Sequence, residues 1–404
     1  MVIDTLILGG GAAGFFTAVN LGKMLPGRRI VILEKSNQVL AKVKVSGGGR
    51  CNVTHAEFIP KELVKNYPRG EKELLGPFHT FMTGDVVGWF EERGVRLKTE
   101  EDGRMFPVTD TSQTIIDCFL KEAQKNGVEV LKNQSVINFY RENELWKVIT
   151  KRGEFCCQNL VVTTGSSPQI WKLLKKLSHT IIPPVPSLFT FNIKDPRITD
   201  LPGVSKKVSL KVLDTKLESE GPLLVTHWGM SGPAILKLSA WGAKELFDLD
   251  YRFSIQINWL FDIDKESAIS FLQKIKQENG KQLVAKYPHF ELPKRLWQNL
   301  VKASGINSEI KWAEVTKNQL TEFASQITES IFKVEGKSTF KEEFVTAGGV
   351  DLKEINFKTF ESKLHPNLYF AGEVLNIDAI TGGFNFQNAW TGGYIVAQSI
   401  TALQ

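Results

Sequence analysis

With 404 residues, 42% of them hydrophobic and 23% charged, the chain has ordinary globular composition and is too long for one simple core. Its net charge of +6 is modest for that size, so Lys207, Lys211 and Lys216 among polar neighbours, and Lys172, Lys175 and Lys176 on a helix-like repeat, read as solvated faces rather than a nucleic-acid surface. The four cysteines, Cys51, Cys118, Cys156 and Cys157, form no CxxC pair, which argues against a disulfide framework or a zinc site and fits a reducing, cytoplasmic setting.

The chain opens directly on a strand, "DTLILGG", with no basic leader or cleavage site, so no signal peptide is expected. No apolar run approaches the length of a membrane span, and the sequons at Asn52 and Asn133 are then chance matches. Phe15, Phe16, Ala18, Val19 and Leu21 predict a helix, and "RRIVILEK" a second strand ending in Glu34. Such a β-α-β unit requires a parallel sheet and a right-handed crossover. Residues 56–110 read as an excursion, with a helix near Asp85–Arg93 and a loop "EEDGRMFPVTD". Asp110–Gln113 resembles a capping box before a helix carrying Ile115, Ile116, Phe119, Leu120 and Ala123, which Gly127 ends. Four strands follow, "VEVLKN", "SVINFYREN", "LWKVITKRG" and "FCCQNLVVTTG". From about Ser187 the pattern changes to two-residue alternation, as in Val208, Leu210 and Val212 or Tyr251, Phe253, Ile255, Ile257 and Trp259. Half-buried antiparallel strands are the expectation. Asp264 begins a stretch of about four short helices reaching Lys333. The last sixty or so residues return to a strand, "NLYFAGE", glycine-rich loops and a closing helix from about Asn388 to Leu403.

Gly9, Gly11 and Gly14 form G-x-G-x-x-G between the first strand and helix. The first permits a tight turn, the second lets backbone approach a pyrophosphate, and the third lets helix pack on strand. The helix N-terminus adds unpaired N–H donors. Glu34, about twenty residues on, is placed to accept from ribose hydroxyls. Further glycine clusters, "KVKVSGGGRCNVTH" (Lys42–His55), "VVTTGSSP" and "TGGFNFQNAWTGG", suit a ligand as long as FAD.

The opening fingerprint resembles FAD proteins of the glutathione-reductase-like fold. With "SGGGRCNVTH", "EDGRMFPVTD", "THWGMSGPA", "VTAGGV" and "YFAGEVLNIDAITGGFNFQNAW", the chain resembles a bacterial flavoprotein family that includes aminoacetone-oxidase-like proteins and bile-acid reductases. The resemblance implies an α/β fold: a Rossmann-like FAD domain (1–186 and 346–404), a β-rich, barrel-like substrate domain (187–261 and 334–345) and an inserted helical domain (262–333). It implies that Gly9, Gly11, Ala12, Ala13 and Gly14 hold the pyrophosphate, and Glu34, with Lys35 beside it, the ribose. Val136 matches a backbone contact to adenine, and Ser46, Gly47, Gly48, Gly49, Arg50, Cys51 and Asn52 would line the pyrophosphate and flavin. Thr164 and Gly165 match the turn that closes on the cofactor, Gly372 and Glu373 the motif at the ribityl chain, and Gly383, Phe384, Asn385 and Gln387 the flavin ring. The chain departs from relatives in "GSSPQIWKLLKKLSH" and at Asn376, Ala379 and Phe384, which bears on the substrate side.

The flavin supplies hydride chemistry, so the protein needs to add only orientation, charge and a proton. Arg50 is the candidate for charge stabilisation, and His55 and His227 for proton transfer; Arg104 is an anion binder or an ion-pair partner, and Cys51 reads as a packed small side chain. No metal site is expected. The expected function is an FAD-dependent oxidoreductase acting on a small molecule, with NADH or NADPH as candidate electron donor. The rivals are a small-amine oxidase using oxygen, or a non-catalytic flavin-bound module that binds nucleic acid or protein. Neither a membrane nor a nucleic acid is an expected partner.

Overall fold

Ile3–Leu8 (β1) and Ile30–Leu33 (β2) are almost wholly apolar, and in a computed structural model, which describes residues 2–338 and 345–403, they pair as buried parallel neighbours. Ala12–Met24 (α1) crosses between them. The sheet runs Ile355–Asn356, Glu361–Ser362, Leu368–Phe370, Gly153–Val162, β1, β2, Glu129–Leu131. Its central pairings are parallel, and Val136–Glu142 and Leu145–Thr150 fold back antiparallel onto Gly153–Val162. This is a Rossmann-like α/β fold. The registers align Leu8 with Leu33 and Val162, Leu33 with Leu131, and Phe370 with Val162, so five strands end at one level. Their carboxyl ends are where open α/β sheets bind ligands.

The chain divides into two units, residues 1–185 with 341–404, and residues 186–340. Of the return segment expected at 334–345, residues 339–344 lie outside the described residues. The second unit holds an antiparallel sheet ordered Ser330–Glu335, Arg252–Asn258, Ser205–Val212, Glu218–Thr226, Gly229–Ser231, Thr190–Asn192, Lys337–Ser338. The alternating residues Val208, Leu210, Val212, Ile255 and Ile257 are buried, in one core with Leu272, Trp297, Trp312 and Phe323 of the helical stretch. That stretch comprises helices Lys265–Glu278, Lys294–Ala303 and Lys317–Thr328 with a single 3-10 turn, Trp312–Glu314. Asp264 caps the first by accepting from Ser267 N–H at 2.7 Å. Among the described residues no helix is long and apolar enough to cross a membrane.

Three local expectations need correction. The expected loop at 100–110 contains a strand, Arg104–Pro107, which pairs with Leu97–Thr99 and with Thr54–His55. The capping box at Asp110–Gln113 does not form. Ser112 instead donates its hydroxyl to Lys44 O, and Asp110, at φ 52°, pairs with Lys98. The closing helix begins earlier than expected, at Phe384, because left-handed Gly383 (φ 94°) forms its N-cap.

Candidate active site

The three fingerprint glycines have different reasons to be glycine. Gly9 has φ 106°, and a Cβ there would sit 2.6 Å from Thr163 O. A Cβ on Gly14 would sit 2.0 Å from Gly9 O, so side-chain-free contact is what lets α1 lie on β1. Gly11 is unlike both. Its backbone is extended (φ −93°), and a Cβ would meet no atom within 4 Å. Nothing in the protein demands glycine there, so the space is left for something outside the chain. Gly11 also caps α1 without a side-chain acceptor, leaving first-turn amides and the positive helix end for an anion.

Beside this turn, Glu34, Gln134, Val136, Thr164, Ser167 and Gln169 line a cavity that also includes Lys35 and Gly9. Glu34 accepts from Gly10 N–H and Ser36 N–H, each at 2.9 Å, one on each oxygen. Its carboxylate is thereby fixed with a lone pair left on each oxygen. The Val136 carbonyl accepts from Gln169 Nε2 at 2.6 Å. The Thr164 hydroxyl is buried without a partner, a cost that a ligand acceptor or donor would remove. The residues present therefore fit a dinucleotide: an uncapped helix end for the pyrophosphate, an open glycine, an oriented carboxylate for a ribose, and an orphan hydroxyl.

The second glycine cluster closes a short helix, Ala41–Gly49 (α2), whose last turn unwinds at Ser46 (ψ 148°), Gly47 and Gly48. Gly47 is pressed by Phe106 and Asn52, whereas Gly48 and Gly49, both at positive φ, meet nothing within 4 Å. Cys51, non-glycine yet at φ 62°, is fully buried, and burial pushes its thiol up to about 12 against the pull of Ser46. Asn52, with its amide turned to suit its neighbours, donates to Met105 O and Thr54 O and accepts from Gly383 N–H at 3.0 Å. The two clusters thus meet at Gly383, where a Cβ would sit 2.6 Å from the Thr54 backbone.

Several expected cofactor side chains are already occupied. Asn385 both accepts from Ala379 N–H and donates to Ala379 O, at 3.1 Å each. Gln387, fully buried, accepts from the Thr54 hydroxyl at 2.6 Å and donates to Thr391. Glu373 pairs with Lys42 and accepts from Thr346 N–H at 3.1 Å. Gly372 (φ 76°) and Gly165 (φ 61°) are turns near α1 and Glu373 respectively. Asn385 and Gln387 therefore brace the loop with their side chains and leave backbone to face a ligand.

Of the catalytic candidates, Arg50 pairs with Glu100 at 2.6 Å and Asp110 at 3.5 Å and lies over the Phe106 ring at 3.9 Å. Its charge is compensated within the protein. Arg104 likewise pairs with Asp102 and Glu100. His55 stacks on Phe384 with centroids 4.5 Å apart, and its Nδ1 lies 3.0 Å from Gly382 O. A carbonyl only accepts, so Nδ1 carries a proton, while Nε2 packs beside Gly103, where a Cβ would come within 2.5 Å of it. Burial lowers the His55 pKa, with the Gly382 bond opposing. His227 belongs to the other unit, exposed between strands Glu218–Thr226 and Gly229–Ser231. The structure therefore brings His55, Phe384 and the two glycine clusters together.

Sequence reasoning missed three supports of this site. Asp378, fully buried, forms a two-pronged pair with Arg69. The Tyr67 hydroxyl donates to Phe384 O at 2.6 Å. Lys42 holds Glu373. An acidic residue inside "LNIDAITGGF" was the one available signal, but its partner is 309 residues away.

A family model described as "HI0933-like protein Rossmann domain" matches residues 3–399. The chain is 30% identical over 413 residues to a "Ribosomal RNA dihydrouridine synthase" of Haemophilus influenzae, covering 98% of each protein. It is 22% identical to a "3-dehydro-bile acid delta(4,6)-reductase" of Clostridium scindens, covering 97% of this chain and 98% of the relative. Among solved structures, a 3-ketosteroid-delta4-(5alpha)-dehydrogenase from Rhodococcus jostii RHA1 superposes with TM-score 0.53 at 12% identity, over 98% of this chain and 96% of that one; at that identity the likeness is one of fold.

Proposed function

This chain belongs to the HI0933-like family of Rossmann-fold flavoproteins, and on that premise we propose that it is an FAD-dependent reductase that adds two hydrogens across a carbon–carbon double bond conjugated to a carbonyl, its substrate being a uracil base in ribosomal RNA. The reading rests most on the 30% identity along 98% of both chains to a ribosomal RNA dihydrouridine synthase. Dihydrouridine is uridine with two more hydrogens at a double bond beside a carbonyl, and the bile-acid relative is also named for removing double bonds near one. The expectation of a small-molecule substrate and no nucleic acid gives way here to an RNA base.

FAD, when bound, supplies two-electron hydride chemistry. In this reading the Gly9–Gly14 turn and the first turn of α1 take the pyrophosphate, Glu34 the ribose with Lys35 beside it, and the Val136 backbone the adenine. Thr164 and Gly165 form the turn that closes on the cofactor, and Gly372 and Glu373 take the ribityl region. Backbone of Ser46–Asn52 and Gly383–Gln387 takes the ring. His55 carries the proton from Nε2, positioned by Gly382 O and Phe384. NADPH or NADH is the electron source.

The test is anaerobic and uses the purified flavoprotein with NADH or NADPH, then a uridine-containing ribosomal RNA fragment analysed by mass spectrometry. Bleaching of the yellow colour by a nucleotide, and a gain of two hydrogens in one RNA base, is the expected result. An RNA that gains none while the flavin is reduced would sink the substrate. His55 donates only as imidazolium, so turnover falls as pH rises above its lowered pKa; a rate flat from pH 5 to 8 would remove it from the mechanism.

A further inference from the structure

Resting on the RNA reading above, we propose that the helical segment 271–317 of the second unit carries an RNA-contacting surface, in which exposed aromatic rings stack an unpaired base and the surrounding lysines take phosphates. That segment is strongly basic. These residues hold nine Lys and Arg against four Asp and Glu, a net +5, while the whole chain carries +6. Lys281, Lys286, Lys294, Lys302, Lys311 and Lys317 are exposed and have no carboxylate partner among the described residues. Leu283 bridges Lys311, and Trp312 N–H donates to Gln282 O at 2.9 Å, so the backbones carrying Lys281 and Lys311 run side by side.

Aromatic rings are interleaved with this charge. Phe271 and Tyr287 are 42% and 45% exposed, and Phe271 lies 4.4 Å from Phe290, ring centre to ring centre. Lys286 sits 5.5 Å from the Tyr287 ring, and Lys274 follows Phe271 by one turn on the same helix. The loop that presents Phe290 is held at a cost. Phe290 and Glu291 are consecutive non-glycine residues at φ 56° and 54°. Lys206 from strand Ser205–Val212 clamps both of their carbonyls, at 3.4 and 3.3 Å. Strained backbone of this kind persists where the surroundings over-determine it and clusters at binding sites. Flat rings beside unpaired lysines match a single-stranded nucleic acid, whose bases stack and whose phosphates release counterions. A protein partner fits less well, because lysine is depleted from protein interfaces.

The experiment is fluorescence anisotropy with a labelled single-stranded oligouridylate at several KCl concentrations. It compares the flavoprotein with Lys286→Glu/Lys294→Glu and with Tyr287→Ala, using thermal midpoint and flavin content as fold checks. We expect Tyr287→Ala to weaken binding about tenfold, a base-stack's worth, at an unchanged salt slope. The charge reversal should lower the slope of log affinity against log salt by about 0.7 for each phosphate no longer neutralised. Variants that bind like the parent, a parent that binds no RNA, or equal binding of poly-glutamate would each overturn the surface. Lost binding in the variants, with no hydrogens gained by RNA on the parent, would instead uphold the surface and sink the reaction.

Discussion

Gly11 and Gly14 lie three residues apart and should fail in opposite ways. Gly14→Ala drives a methyl into Gly9 O, 2.0 Å from where its Cβ would stand, and should cost about 3 kcal/mol of stability by overpacking. Gly11→Ala meets no protein atom, so the apo protein should melt as the parent does while FAD affinity falls at least about tenfold. Melting curves with and without FAD separate the two, and a Gly11→Ala protein that keeps full FAD affinity would remove the pyrophosphate from that space. Cys51 gives a second residue-scale test. With its thiol pushed up to about 12 by burial, only about one molecule in ten thousand is thiolate at pH 8. A thiol reagent should leave Cys51 intact in the folded protein, as peptide mapping would show. At this scale the glycine spacing was legible because the turn at Gly9 and the close helix–strand approach at Gly14 are local. The occupation of Arg50 by Glu100 and Asp110 was not, because those partners arrive from 50 and 60 residues away.

Elements that repeat a short period were readable, and elements defined by distant partners were not. The β-α-β opening and the alternating strands around Val208 and Ile255 follow from periodicity alone. Strand Arg104–Pro107 exists because Thr54–His55 supplies its other neighbour, which no window of sequence around "DGRMFP" contains. The loop Leu375–Gly383 is likewise set by Arg69 and the buried Asp378. Asp378→Asn would remove the buried negative charge that faces the Arg69 guanidinium, at a cost of about 3–5 kcal/mol; denaturant midpoints measure it, and a loss under 1 kcal/mol would show the charge to be dispensable. A second buried cluster links helix Pro168–Lys176 to strand Glu361–Ser362. His179 Nδ1 lies 2.8 Å from Glu354, and the Ser362 hydroxyl 3.1 Å from His179 Nε2. Burial lowers the His179 pKa, with Glu354 opposing and His365 assisting. For Glu354, burial pushes upward, but hydrogen bonds from Thr180 and His179 outweigh it and the net shift is down. Both groups therefore bind protons more tightly when unfolded. Stability should be full above pH 6.5 and fall as His179 is forced to protonate below it, then fall again below about 4.5 as Glu354 is neutralised. His179→Gln should remove the first step from a plot of thermal midpoint against pH.

The two units have separate hydrophobic cores with no residue in common. With FAD held by the glycine fingerprint as proposed, mass action should raise that unit's unfolding midpoint, by about 2.7 kcal/mol at a hundredfold excess over its dissociation constant. Denaturation followed by tryptophan fluorescence should resolve a FAD-sensitive and a FAD-insensitive transition; a single transition that moves as a whole would contradict this. The unit that binds FAD is also discontinuous. Strand Leu368–Phe370 lies beside Gly153–Val162, and the closing helix packs on α1, where a Cβ on Gly393 would come within 3.0 Å of Ala13 O. During translation, residues 186–340 leave the ribosome whole before that strand and helix exist. The first 185 residues then wait with an open sheet edge and an apolar α1. A ribosome stalled at residue 380 would thus hold a finished second unit beside a fingerprint that is present in sequence but cannot yet retain a flavin.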